Sequence, residues 1–141
     1  MKIIDKNFDN LIITEKETIK DALIKINENY HKCLIVINNK RILKGTITDG
    51  NIRRGLLKGF KLTDSVLKIS NKKKIIFLRE GKYSLKEAKK KLVQNKQFTY
   101  IGILPIINNK NEIIDLLTKN DFNLNKNINQ EFSKNTVVIM A

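Results

Sequence analysis

The chain has 141 residues, 41% of them hydrophobic and 30% charged, and a formal net charge of +14. That length fits one ordinary domain, or two small halves sharing a core. No apolar run approaches the roughly 20 residues needed to cross a bilayer as a helix, and the opening MKIIDKNFDN has no signal-peptide pattern, so a cytoplasmic protein without membrane contact is expected.

The positive charge is mostly lysine, spread along the chain among many Asn and Ile residues. A nucleic-acid footprint would be focused, and single-strand binders interleave aromatic with basic residues. Neither pattern occurs, which argues against nucleic acid and leaves attraction to smaller anions, nucleotides included. The single cysteine, Cys33, lies inside an apolar run and reads as a small core residue. His31 is the only histidine and reads as a strand-edge residue, so neither a zinc site nor a Cys–His nucleophilic pair is supported. Paired carboxylates, G-x-S-x-G, a Walker-type loop and C-x-x-C are all missing, and no catalytic set is expected in this chain.

In chain order, Leu11-Ile12-Ile13 is strand-like and too short for a helix. Thr18 opens a helix, with Asp21 completing an Asp version of the capping box. Ile19, Ala22, Leu23 and Ile26 form its apolar face, and Asn29 marks its stop. Cys33 to Ile37 is a continuous apolar run of strand length, read as buried on both faces. Asn38-Asn39-Lys40 is turn chemistry, and Ile42 to Thr48 returns as the second arm of a hairpin.

The next stretch, GTITDGNIRRGLLKG, organises the chain. A β-branched run ends at Thr48, and Ile52, Leu56 and Leu57 then recur at helical spacing up to Gly59. A strand that becomes a helix at Asp49 or Gly50 leaves N–H groups at the positive end of the helix dipole, which suits an anion such as phosphate. Asp49 reads as the cap. Arg53 and Arg54, in the first turns, read as phosphate or partner contacts or as part of a solvated face.

Leu62, Val66 and Ile69 give the connector Lys61–Ser70 one apolar side, and Lys72-Lys73-Lys74 precedes a strand at Ile75–Leu78. Ser84 and Glu87 then form a second capping box, with Leu85, Ala88, Leu92 and Val93 on the buried face and Asn95 at the end. Tyr100 to Ile107 is a central strand containing Gly102 and Pro105, followed by the turn Asn108–Asn111, a return arm from Glu112 to Thr118 and a short helix from Asp121.

These elements are a repeat. Asn38-Asn39 and Asn108-Asn109 stand 70 apart, as do Thr48 and Thr118, and Asn51 and Asp121; the helix openers Thr18 and Ser84 stand 66 apart. Neither unit can bury its sheet alone, so the two are expected to pack face to face and bring both Thr-x-x-Asn/Asp corners to one interface. The boundaries expected are 1–70 for the first repeat with its connector, 71–125 for the second, and 126–135 for a polar linker.

Residues 10–124 resemble a tandem cystathionine-β-synthase-type (CBS) domain pair. The carriers are LKGTITDGNI in the first copy, and Gly102 to Ile107 with IDLLTKND in the second. TDGNIRRGLLKG looks like the first-copy signature of CBS pairs fused ahead of sugar-phosphate nucleotidyltransferases, and VVIMA, within the segment 136–141, looks like the first strand of such an enzyme. The fold implied is α+β, with two β-α-β-β-α repeats related by a pseudo-twofold.

The resemblance implies a regulatory module that binds AMP, ADP or ATP as an effector between the repeats and requires no cofactor. The Asp121 carboxylate would accept from both ribose hydroxyls. Thr118, with Lys119 beside it, would hold phosphate, and Gly102 to Pro105 would line the base pocket. In the first copy Thr48 takes the phosphate role, with Arg53 nearby. Asn51 stands where the family has Asp, so the first cleft is expected to bind more weakly or to be vacant. Asp115 replaces a common glycine. The resemblance also implies a homodimer through the helices and a C-terminal catalytic domain in the full-length protein; the alternative is a dimerisation scaffold that binds no ligand.

Overall fold

A computed structural model describes residues 8–29, 31–73, 75–84, 86–88, 90 and 103–118. Asp121, Lys119, Gly102, Leu85, Leu92, Val93, Asn95, the helix expected from Asp121, the linker at 126–135 and the strand at 136–141 lie outside the described residues.

The first repeat is β1 (Ile12–Thr14), α1 (Ile19–Glu28), β2 (Cys33–Ile37), β3 (Leu43–Thr48) and α2 (Asp49–Leu57). α1 begins where expected: the Thr18 hydroxyl accepts from Asp21 N at 3.2 Å, and the Asp21 carboxylate accepts from Thr18 N at 2.9 Å. It ends at Asn29, which is a C-cap and also a tether. The buried Asn29 amide donates to Asn10 O at 2.9 Å and Cys33 O at 3.4 Å, while its oxygen accepts from His31 N and Lys32 N, each at 2.9 Å. One side chain thus fixes the turn from helix into β2. His31 lies in that turn, two residues ahead of the strand.

The second repeat contains β4 (Leu78–Arg79), β5 (Ile103–Ile107) and β6 (Ile113–Thr118). Ser84 accepts from Glu87 N at 3.1 Å, and residues 86–88 and 90 are helical. Each repeat builds a three-stranded sheet, ordered β1-β2-β3 and β4-β5-β6, with the first pair parallel and the second antiparallel. Both hairpins carry a register shift at the same place, Val36/Ile37 and Ile106/Ile107.

Strand alternation explains the core. Cys33, Ile35 and Ile37 pack with Ile103, Ile107, Ile113 and Leu116, closed at one side by Phe8 and Leu11. Leu34 and Val36 face the other way, onto Ile19, Ala22 and Ile26 of α1 and Ile52 of α2. Leu104 and Ile106 likewise pack with Ala88 and Leu78. The central strands are therefore buried on both faces, which is why they read as unbroken apolar runs.

Backbone bonds relate the halves. Leu43 N donates to Asn111 O at 3.1 Å and Ile113 N to Arg41 O at 2.9 Å, around an antiparallel bridge between Ile42 and Glu112. Each bond is the other's image under a shift of 70 residues, which is the signature of a pseudo-twofold axis.

Three expectations need correction. The strand placed at Ile75–Leu78 is only Leu78–Arg79, because pairing reaches just Ile106 and Ile107 of β5. Leu62 is 42% exposed, whereas Val66 and Ile69 are buried; the segment docks through backbone instead, with Lys20 N donating to Leu62 O at 3.0 Å. The cap of α2 is Thr48, not Asp49: the Thr48 backbone is extended, and its hydroxyl is the group that accepts from the helix. α2 ends at Leu57 with Lys58 as C-cap, and Gly59 turns the chain away at φ 106°.

Candidate functional site

Thr48 closes β3 opposite Cys33, and the pairing of Thr46 with Ile35 puts both threonines on the face that meets the second repeat. Residues directly opposite one another in a ladder share a face. The Thr48 hydroxyl accepts from Asn51 N at 3.1 Å, and Asn51 Oδ1 accepts from Thr48 N at 2.9 Å. This reciprocal box occupies the acceptor oxygen of Asn51, leaving its NH₂ as the group able to meet a ligand. An aspartate there has a second acceptor oxygen to spare; an asparagine does not.

Charge gathers at the same turn. Arg53 Nη1 lies 2.8 Å from Asp49 Oδ2 on the exposed side of the helix, so its guanidinium is engaged within α2. Arg54 folds back over Gly50: a Cβ added there would come 3.1 Å from Arg54 Nη1. A second cation is thereby held over the first turn of α2, the positive end of its dipole, where an anion is the favourable companion.

The counterpart corner is described up to Thr118, which is buried and pairs with Ile103 as Thr48 pairs with Cys33. Pro105 is fully buried opposite Leu116, the place Ile35 takes opposite Thr46. Thr48, Asn51, Arg53, Pro105 and Thr118 are thus located; the side chains expected to complete the second corner, Lys119, Asp121 and Gly102, lie outside the described residues.

The two corners differ at their edges. In the first, Gly45 lets the connector run close: Thr46 N donates to Asn71 O at 3.0 Å and Asn71 N to Thr46 O at 2.8 Å. A Cβ at Gly45 would stand 2.9 Å from Asn71 O. In the second, Asp115 holds that position and its carboxylate accepts from Leu116 N at 2.8 Å. Tyr83 packs nearby, and burial, reinforced by the Asp115 and Glu80 carboxylates, pushes its phenol above the ordinary range. Cys33 is wholly buried, and desolvation raises its thiol far enough to make it an inert core group.

Sequence reasoning missed Thr46. Its hydroxyl is buried with no hydrogen-bonding partner, and the one legible signal was its mate in the repeat, Leu116. Among the described residues no group of three or more His, Cys, Asp or Glu could hold a metal ion, and no helix is long and apolar enough to cross a membrane.

Comparison with known proteins bears on this geometry. Residues 4–58 match the family model described as CBS domain. An uncharacterized protein of Helicobacter pylori is 30% identical over 106 residues, 75% of this chain and 31% of the relative. The chain thus spans about a third or less of the curated relatives it matches. Among solved structures, CbpB from Streptococcus agalactiae superposes with a TM-score of 0.73 at 17% identity, covering 99% of this chain and 91% of that one. CbpB in complex with c-di-AMP gives 0.70 at 18% identity, covering 89% and 82%. The cytosolic domain of the Mg²⁺ channel MgtE in complex with ATP gives 0.61 at 15%, covering 79% and 43%. With a CBS domain matched over residues 4–58 and two sheets related by a pseudo-twofold, the fold is that of a CBS-domain pair.

Proposed function

We propose that this chain is a nucleotide-sensing regulatory module that binds an adenine nucleotide (AMP, ADP or ATP) between its two repeats. The observation that carries the reading is the Thr48 corner, where a helix N-terminus and the Arg54 guanidinium lie together over Gly50. Two structures of the same fold are complexes with adenine nucleotides, c-di-AMP in one and ATP in the other. The expected ligand set is Thr118, Lys119, Asp121, Gly102 and Pro105 in one cleft and Thr48 and Asn51 in the other, where Arg54 takes the cationic role because Arg53 is paired with Asp49. Because Asn51 spends its oxygen on Thr48, the first cleft is the weaker for ribose. Binding would act by favouring one arrangement of the repeats over another, which requires a differential affinity for the two.

The protein served is a sugar-phosphate nucleotidyltransferase, on the resemblance of TDGNIRRGLLKG and of the closing VVIMA to that subtype. The catalytic domain would follow residue 135 and work in a cytoplasmic homodimer. Calorimetric titration with AMP, ADP and ATP tests the sensing role; heat and thermal stabilisation at millimolar ligand or below are expected, and their absence overturns it.

A second reading, a dimerisation scaffold without ligand, is favoured by the closed Thr48–Asn51 box and by Leu57, 84% exposed on α2. A dimer by light scattering with no nucleotide response would select it.

A further inference from the structure

Thr46 sits in β3 with both backbone groups bonded to Asn71, and its side chain lies on the face shared with Ile35, Ile103 and Leu116. The residue is 3% exposed, and its hydroxyl has no hydrogen-bond partner. Among the described residues it is the one buried side-chain polar atom left in this condition.

Such a group needs a reason, because a buried hydroxyl without a partner destabilises the packing around it, whereas an aliphatic side chain of the same shape does not. The repeat makes the choice conspicuous. At the equivalent position of the second half the chain uses Leu116, fully buried in the same cluster. The apolar solution is therefore available to this architecture and is used on one side only. Thr46 also lies two residues before Thr48, a step of about 7 Å along the strand and on the same face. That step is comparable to the reach from a nucleotide's phosphate to the polar groups of its sugar.

We propose that Thr46 is a specificity-determining residue of the first corner, whose hydroxyl pairs with a polar group on the sugar or base of the nucleotide held at Thr48. Thr46 and Leu116 then make the two clefts unequal, one reading a hydrogen-bonding group where the other offers only an apolar wall. An unpaired hydroxyl in the closed packing and a paired one on ligand also favour the liganded arrangement, so Thr46 contributes to the coupling as well as to recognition. The inference rests on the nucleotide reading above.

The test compares wild type with the isosteric T46V and with T46S, which keeps the hydroxyl, by thermal melting without nucleotide and by calorimetry with ATP and AMP. T46V is expected to melt at or above the wild-type temperature and to lose about five- to tenfold in nucleotide affinity, the worth of one neutral hydrogen bond. T46S is expected to bind within about twofold of wild type. A T46V protein that melts lower shows the hydroxyl already bonded, for instance by buried water, and overturns the proposal. Equal binding by T46V and wild type overturns it while leaving the nucleotide reading intact. A flat wild-type titration overturns the nucleotide reading and takes this inference with it.

Discussion

Arg41 and Asn111, seventy residues apart, hold the same left-handed backbone, φ 65° and φ 66°, and each gives its carbonyl to the strand that follows the other. The hairpins are duplicates in chemistry as well. Asn38 Oδ1 accepts from Lys40 N and Ile42 N, and Asn108 Oδ1 from Lys110 N and Glu112 N. The side-chain bonds shape each turn, the turn sets the left-handed residue, and that residue exposes the carbonyl which joins the halves.

At Arg41, then, the backbone conformation should matter and the guanidinium should not. Glycine adopts positive φ without penalty, whereas a β-branched residue meets its own carbonyl there. Arg41→Gly should leave unfolding by urea within about 0.5 kcal/mol of wild type, and Arg41→Val should cost about 1–2 kcal/mol. Hydrogen exchange should localise the Arg41→Val effect to the Leu43 and Ile113 amides, the two groups that bridge the repeats.

Gly45 and Asp115 make a second contrast between equivalent positions. Gly45→Ala drives a Cβ to within 2.9 Å of Asn71 O, which already accepts from Thr46 N and belongs to a residue whose own N–H is bonded to Thr46 O. The strand or the connector must give, at about 1–3 kcal/mol. Asp115→Ala removes only the acceptor for Leu116 N and should cost about 0.5–1.5 kcal/mol. Chemical denaturation of the two variants checks the ranking, and equal losses would mean that the connector does not hold the edge of β3.

The structure also separates what local chemistry can announce from what it cannot. The Thr18–Asp21 box, the Asn38 and Asn108 turns and the apolar run Cys33–Ile37 appear where the sequence placed them, because each depends on residues within a turn of one another. The errors share a different cause. Asp49 and Thr48 are both residue types that cap, and only the extended backbone of Thr48 assigns the role to it and not to Asp49. The strand at Ile75–Leu78 shortens because pairing with β5 is a long-range event. Asn29 does end α1 as its residue type indicates; what the sequence does not show is that its side chain also donates to Asn10 O, nineteen residues back. At the site, the Thr48 corner was legible from its β-branched run and its repeat. The isolation of the Thr46 hydroxyl was not, since burial without a partner is a property of the assembled interface.

Asp21 gives a pH signature. Hydrogen bonds from Thr18, its backbone N–H first and its hydroxyl second, hold this carboxyl below its ordinary value of 3.8. A depressed carboxyl contributes stability that is fully present above the unfolded value and lost as pH falls through the folded one. Wild type should therefore exceed Asp21→Asn in melting temperature at neutral pH, and the gap should close below about pH 4. A gap that stayed constant from pH 7 to pH 2 would assign the difference to packing instead of the charged cap.

Arg53 and Arg54 are adjacent in sequence yet face different tasks. Arg53 is tied to Asp49 at 2.8 Å on the solvent side, an exposed i,i+4 pair of little energetic weight. Arg54 lies over Gly50, where the dipole of α2 is least favourable to a cation and an added phosphate would relieve both. Arg54→Ala should therefore weaken ATP binding about tenfold, the scale of one charge-assisted hydrogen bond, and leave adenosine binding unchanged. Arg53→Ala should change both ligands by less than about twofold. Titration of the two variants with ATP and adenosine reads the difference. If both ligands weaken equally in Arg54→Ala, the guanidinium is supporting the turn and not meeting phosphate, and the anion site at α2 would have to rest on backbone N–H groups alone.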